Sequence, residues 1–178
     1  TPEAWAKDRE LVLEFYNMRR KQLWKAQPNE AHKIIAGLQS DYEVQIITQN
    51  IDDLHERAGS KQVLHLHGEL KKAQSEKYPE LVYELDQPEL KLGDQCEQGY
   101  QLRPNVVWFG EEVPKMAEAY LLAQQADIFL VIGTSLNVYP AAGIVHYVHP
   151  EAKCFLIDPV TPELELPANW IIIQAKAQ

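Results

Sequence analysis

Three observations predict an α/β fold built on a parallel sheet flanked by helices. Short, apolar, β-branched runs stand at Val44–Thr48, Ile128–Ile132, Phe155–Ile157 and Ile171–Ile173, the pattern of strands covered on both faces. Helical patterns lie between several of them, at about 115 to 125 and 141 to 148, and an order of strand, helix, strand favours parallel pairing. From Leu70 to Arg103 the periodicity gives way to charged, Pro-containing sequence. The expected organisation is a Rossmann-like domain of residues 1–69 and 103–178 with a small inserted module, 70–102.

Thr1-Pro2 reads as a helix entry, because proline suits the first helical turn. Leu11, Phe15 and Met18 then recur near helical spacing among Glu10, Glu14, Arg19 and Arg20, which predicts an amphipathic helix. Pro28-Asn29 opens a second, with His32, Ile35 and Leu38 on one face before Gly37 and Ser40 weaken it. The strand at Val44 follows. Inside the module, Tyr78-Pro79-Glu80 and Gln87-Pro88-Glu89 bracket a short strand candidate, Leu81-Val82-Tyr83. No internal repeat or low-complexity tract is visible.

The 178 residues, 46% hydrophobic and 24% charged, match an ordinary globular composition. A formal charge of −9 argues against nucleic acid as a partner, since neutralising phosphates needs clustered Lys and Arg; a basic protein substrate is electrostatically easier. No apolar run approaches the roughly 20 residues that span a bilayer, and no signal-like segment is visible. A cytoplasmic protein without a membrane partner is expected. Cys96 and Cys154 form no C-x-x-C pair and are expected to be reduced thiols.

Four places carry candidate chemistry. Thr48-Gln49-Asn50-Ile51-Asp52-Asp53-Leu54-His55 begins where an apolar strand ends, the position at which α/β sheets present ligand-contacting side chains. Its amides and carboxylates suit sugar hydroxyls and a carboxamide; taken alone, these residue types more often form a turn with a helix cap. His67 offers either a general base or a histidine satisfied by its neighbours, and His65-x-His67 also admits paired metal ligands on one strand face. Gly133-Thr134-Ser135 follows a buried-strand pattern, with Asp158 at the end of the next strand, as in a dinucleotide crevice. Tyr16 and Arg19, three apart, occupy neighbouring positions on one helical face.

Taken in order, these segments resemble the sirtuins. Thr48 to His55, continued through Ala58-Gly59, resembles the family's TQNIDxLHxxAG signature. Val63-Leu64-His65-Leu66-His67-Gly68 resembles the strand with its catalytic His-Gly. Arg103 to Glu111 resembles its acyl-lysine channel, and Gly133-Thr134-Ser135-Leu136 with Val138, Pro140, Ala141 and Ala142 resembles its NAD loop. The resemblance, nearest to the bacterial deacetylase/desuccinylase type, implies removal of acyl groups from lysines of acylated proteins with consumption of NAD, giving nicotinamide and O-acyl-ADP-ribose. It implies His67 as general base, with Asn50 and Asp52 positioning nicotinamide and its ribose and Gln49 touching that ribose. Gly133, Thr134, Ser135 and Asp158 would face the adenosine side, and Val107 and Phe109 would line the acyl-lysine channel. Tyr16-x-x-Arg19 resembles the pair that distinguishes sirtuins acting on succinyl- and malonyl-lysine, where a fixed cation holds the distal carboxylate.

There are departures. Most sirtuins carry two cysteine pairs for a structural zinc; here Ala73, Gln74 and Ser75 stand where the first pair is expected and Cys96 is the one cysteine of the module. A four-thiolate site cannot form, so no zinc is expected and the module should be held by side-chain packing alone. Asp158 replaces the usual Asn. The family's Gly-rich GAGxS loop has no counterpart among these residues, which leads to the expectation that the chain as given is inactive alone. Two alternatives fit the same motifs: an NAD glycohydrolase or ADP-ribosyltransferase, and a non-catalytic binding module.

Overall fold

A computed structural model describes residues 1–160, 166–167 and 169–177. The chain forms two compact units, the first of Thr1–Pro28 with His32–Glu112, the second of Asn29–Ala31 with Val113–Gln178.

In the first unit, the Thr1 hydroxyl accepts the Ala4 N–H at 3.2 Å and caps helix α1, Pro2–Lys7. The predicted entry leads into two helices, because Asp8 is extended (φ −153°, ψ 87°) and its carboxylate accepts the Leu11 N–H at 3.0 Å to start α2, Arg9–Lys25. The stripe Leu11, Phe15 and Met18 is exposed, at 61%, 46% and 51%, and α2 buries Leu13, Arg20 and Leu23 instead. The inward face is offset from the apolar stripe because its centre is a cation, which hides it from a hydropathy pattern.

Helix α3 (Glu30–Gly37) ends at Gly37 and passes into a 3-10 turn, Leu38–Ser40. Strand β1 (Ile46–Thr48) pairs in parallel with β2 (Val63–His65), Thr48 opposite His65, with α4 (Leu54–Arg57) between them in sequence. Strands β3 (Gly68–Ser75), β4 (Val82–Glu84) and β5 (Leu102–Val106) form an antiparallel sheet in the order β4-β3-β5. Trp5, Leu13, Ala73, Leu90, Leu102, Val106 and Trp108 make the core of this unit.

Hydrogen bonds, and not packing alone, hold the stretch 70–102. The Gln101 amide donates to the Lys91 carbonyl at 3.0 Å and accepts the Gly93 N–H at 2.8 Å, and Asn17 brackets Leu90 through both its N–H and C=O. Arg20, fully buried, donates to the carbonyls of Leu70 (2.7 Å) and Pro88 (3.1 Å) and to the Asn17 side chain (2.7 Å). Burial pushes its pKa down to about 10, still far above neutrality, so the guanidinium stays charged. A turn that offers lone backbone carbonyls needs donors, and α2 supplies them.

In the second unit, α5 (Met116–Gln125) precedes β6 (Ile128–Ile132), and β7 (Lys153–Ile157) and β8 (Trp170–Ile173) complete a parallel sheet in the order β6-β7-β8. Residues 141–147, expected as a helix, form a 3-10 segment. Its Ala142 and Val145 pack with Val131, Cys154, Leu156 and Trp170. Among the described residues no helix is long and apolar enough to cross a membrane.

Candidate functional site

The loop leaving β1 is fastened by its carbonyls. Thr48 O accepts the Leu66 N–H at 3.0 Å, and Ile51 O accepts the Leu70 N–H at 2.7 Å. Between them Gln49 O lies 3.0 Å from His67 Nδ1 and Asn50 O 3.3 Å from His65 Nδ1. Four consecutive carbonyls are thus held by the 65–70 segment, the outer two by backbone and the inner two by imidazoles. Asn50 N donates to Thr48 Oγ1 at 3.1 Å and Asp52 Oδ1 accepts the Leu54 N–H at 3.1 Å, so the turn chemistry read from the sequence is present, while Asp53, the N-cap of α4, makes no side-chain cap bond.

A carbonyl can only accept, so His67 Nδ1 must be the protonated nitrogen in that bond, which leaves Nε2 as a lone-pair acceptor. Gly68 follows with φ +80°, and a Cβ there would lie 2.1 Å from the Asn105 carbonyl oxygen. Glycine is required after His67 because β3 and β5 approach at backbone distance. Val107 N donates to the His67 carbonyl at 2.9 Å, tying the segment after β5 to the histidine.

That segment is anchored by Trp108. Its indole N–H donates to the Tyr16 phenol oxygen at 2.9 Å, and its backbone N–H donates to Glu111 at 2.8 Å. Arg103 lies 3.5 Å over the Trp108 ring centroid and forks onto both Glu111 carboxylate oxygens at 2.6 and 2.9 Å. Burial pushes the Glu111 pKa up, but the Arg103 fork and the Trp108 N–H outweigh it and hold the carboxyl below its ordinary value. Burial pushes the Tyr16 phenol up, against the Trp108 bond and the nearby arginines. Phe109, beside this rigid anchor, is 80% exposed. Arg19 is exposed, with its guanidinium 5.9 Å from the Phe15 ring centroid.

The second unit carries a group of its own. Gly133, at the end of β6 with φ +64°, donates its N–H to the Ile157 carbonyl at 2.9 Å, which brings Gly133-Thr134-Ser135 and Asp158 to the carboxyl ends of two adjacent parallel strands. Thr134 Oγ1 accepts the Leu136 N–H at 3.3 Å, and one Asp158 oxygen accepts the Val160 N–H at 2.8 Å. A Cα without a side chain, short hydroxyl side chains and a carboxylate at such an edge fit the phosphate and ribose of a dinucleotide.

The paired-histidine reading is not what the fold builds: His65 turns Nε2 to Glu56 Oε1 at 2.7 Å. Among the described residues, the His/Cys/Asp/Glu group with donors near enough for a metal is Glu56, His65 and Glu69, all within 4.8 Å, and Lys72 occupies Glu69 at 2.8 Å. Trp5, which stacks on Trp108 with centroids 5.8 Å apart, and Glu56 join the site only through the fold; neither lies in a pattern that marks it in the sequence.

The sequence pattern described as the Sir2 family matches residues 1–140. An "NAD-dependent protein deacylase" of Helicobacter pylori (strain ATCC 700392 / 26695) is 52% identical over 177 residues, covering 99% of this chain and 77% of its own length. A solved "Sir2 homolog-NAD complex" superposes with a TM-score of 0.89 at 37% identity, covering 99% of this chain and 71% of that one. A structure described as "Sir2 bound to acetylated peptide" superposes at 0.79 with 28% identity, covering 98% and 76%. With the His67-Gly68 turn, the Thr48 to Asp53 loop and this similarity along nearly its whole length, the chain belongs to the Sir2 family.

Proposed function

We propose that this protein removes acyl groups from lysines of other proteins with consumption of NAD, and that it accepts succinyl- and malonyl-lysine as well as acetyl-lysine. The observation that carries the reading is the bond between His67 Nδ1 and the Gln49 carbonyl, which leaves Nε2 to take a proton. The names of the Helicobacter relative and of the NAD and acetyl-peptide complexes support it.

When bound, NAD would supply an electrophilic ribose carbon that the acyl oxygen can take as nicotinamide leaves. Asn50 and Asp52 would hold the nicotinamide end and its ribose, and Gln49 would meet the same ribose. His67 Nε2 would accept the proton of a ribose hydroxyl, freeing that oxygen to bond the acyl carbon as its bond to the lysine nitrogen breaks. Gly133, Thr134, Ser135 and Asp158 would take the adenosine side, Gly133 by leaving room for close approach, Thr134 and Ser135 through their hydroxyls and Asp158 through its carboxylate. Val107 aligns the acyl-lysine through its backbone and Phe109 covers the lysine chain. Tyr16, whose oxygen already accepts from Trp108, keeps its phenolic proton to donate to a distal acyl carboxylate, and Arg19 supplies the charge.

No thiolate zinc enters this reading, since Cys96 and Cys154 are the two cysteines of the sequence. Both are free and buried, which fits the reducing cytoplasm. Residues 70–102 serve as the inserted module and 1–69 with 103–178 as the nucleotide-binding domain.

The test is nicotinamide release by the full-length protein given NAD with an acetyl-, succinyl- or unmodified-lysine peptide. Release that requires an acylated peptide and disappears in His67→Ala is expected. Equal release without any peptide would instead indicate an NAD glycohydrolase.

A further inference from the structure

We propose that His65 is a positioning residue for the nicotinamide end of the site, holding the Asn50 peptide in one orientation from a buried seat braced by Glu56. The proposal rests on the role given to Asn50 and Asp52 above. His65 is 3% exposed, and its ring spans two elements. Nδ1 faces the Asn50 carbonyl at 3.3 Å and Nε2 faces Glu56 of α4 at 2.7 Å.

The geometry follows from the strand. Thr48 and His65 are direct partners across the β1–β2 pair, so the His65 ring emerges beside the loop that leaves β1. Of the four fastened carbonyls, those of Thr48 and Ile51 are bonded to backbone N–H groups, which any side chains at 66 and 70 would preserve. The inner two depend on side chains. His67 holds one while presenting Nε2 to chemistry; His65 holds the other with Nε2 already engaged.

Asn50 itself is exposed, and its side chain leaves the Cα bonded directly to the carbonyl that His65 holds. A peptide with an unbonded carbonyl can rotate between its neighbours, and that rotation turns the backbone from which Asn50 projects. Glu56 completes the brace from the helix that begins immediately after this loop. Its exposed carboxylate costs little to bring to the ring, while the buried imidazole cannot turn elsewhere without leaving both nitrogens unsatisfied.

Substitutions separate the two arms. The amide N–H of asparagine falls where histidine carries Nδ1, so His65→Asn keeps the Asn50 bond and loses Glu56. His65→Leu loses both at similar volume. Steady-state kinetics of the full-length protein with a fixed acyl peptide, and calorimetric titration with NAD, read the outcome, with thermal melting of each variant alongside.

The expected result is a KM and a Kd for NAD raised about fivefold or more in His65→Leu, the worth of one hydrogen bond, with kcat much less changed. His65→Asn should stay within about twofold of the parent, a margin below one such bond, although it melts lower. If both variants melt lower by similar amounts and neither changes KM or Kd for NAD, His65 is a structural residue only and the proposal fails while the functional reading stands. If the parent neither binds NAD nor releases nicotinamide, the functional reading fails and takes this proposal with it.

Discussion

His67 Nδ1 lies 3.0 Å from the carbonyl oxygen of Gln49, so one of the four bonds that fasten the loop after β1 also decides which imidazole nitrogen is free. A base that is aimed by the loop it serves loses its function without loss of fold when replaced by a small residue. His67→Ala should lower kcat for NAD-dependent deacylation by about 10² to 10⁴, the usual share of a positioned general base. Its melting temperature should stay close to the parent's, because the outer carbonyls of the loop remain bonded to backbone. Parental turnover in this variant would remove His67 from the mechanism.

Tyr16 and Arg19 should be separable. Tyr16→Phe deletes the acceptor of the Trp108 indole and is expected to cost about 1 kcal/mol of stability together with part of the activity on succinyl-lysine. Arg19→Met, on an exposed position, should leave stability unchanged and lower kcat/KM for succinyl-lysine at least tenfold relative to acetyl-lysine, as expected for the loss of a charge-assisted bond. Equal losses on both peptides would show that Arg19 does not read the acyl carboxylate.

The motif residues were legible because each lies in a contiguous run: Gln49, Asn50 and Asp52 in one loop, His67-Gly68 at one turn, Gly133 to Ser135 after one strand. The strands at 46, 128, 153 and 170 were legible because short runs rich in β-branched residues favour strands, although Ile128, Leu130 and Ile171 to Ile173 are exposed and not covered on both faces as expected. What joins distant runs was not. The inward face of α2 is centred on Arg20, a residue whose hydropathy places it outside. The brace of His65 needs Glu56, nine residues away, and the Trp108 anchor needs Trp5 and Tyr16 from the opposite end of the unit. Pairing across sequence carries no periodicity, so it enters only with the fold.

Glu111 links the segment after β5 to pH. Its folded pKa is held below the ordinary carboxyl value of about 4.3, so its contribution is complete above the unfolded value and is lost as pH falls through the folded one. The melting temperature of the parent should therefore exceed that of Glu111→Gln at pH 7, and the gap should narrow from about pH 4 downward. A gap that does not change with pH would mean that the Arg103 fork acts through hydrogen bonding independent of charge.

Gly68→Ala should be among the most disruptive small substitutions. The added carbon meets the Asn105 carbonyl at 2.1 Å, and the residue is held at φ +80°; a non-glycine residue there carries about 1 to 3 kcal/mol of backbone strain before the clash is counted. Unfolding in urea should show a midpoint far below the parent's. A variant that keeps parental stability would require β3 and β5 to part, and the His67 carbonyl to release Val107, which would show as lost activity.

Arg20 tests whether the buried cation organises the 86–90 turn or merely fills space. Its guanidinium reaches three acceptors contributed by β3, the turn and α2 itself, and no carboxylate stands among them. Arg20→Met keeps most of the volume but strands the carbonyls of Leu70 and Pro88, a cost of about 2 to 4 kcal/mol for two buried acceptors. Arg20→Lys keeps the charge, yet one ammonium cannot reproduce a planar fork spread over three directions, and it should recover less than half of that loss in urea unfolding. The second readout is proteolysis: in Arg20→Met, cleavage should move into residues 86–91, because the turn has lost the donors that hold it to α2. Full recovery of stability in Arg20→Lys would show that charge, and not the shape of the guanidinium, fixes the turn.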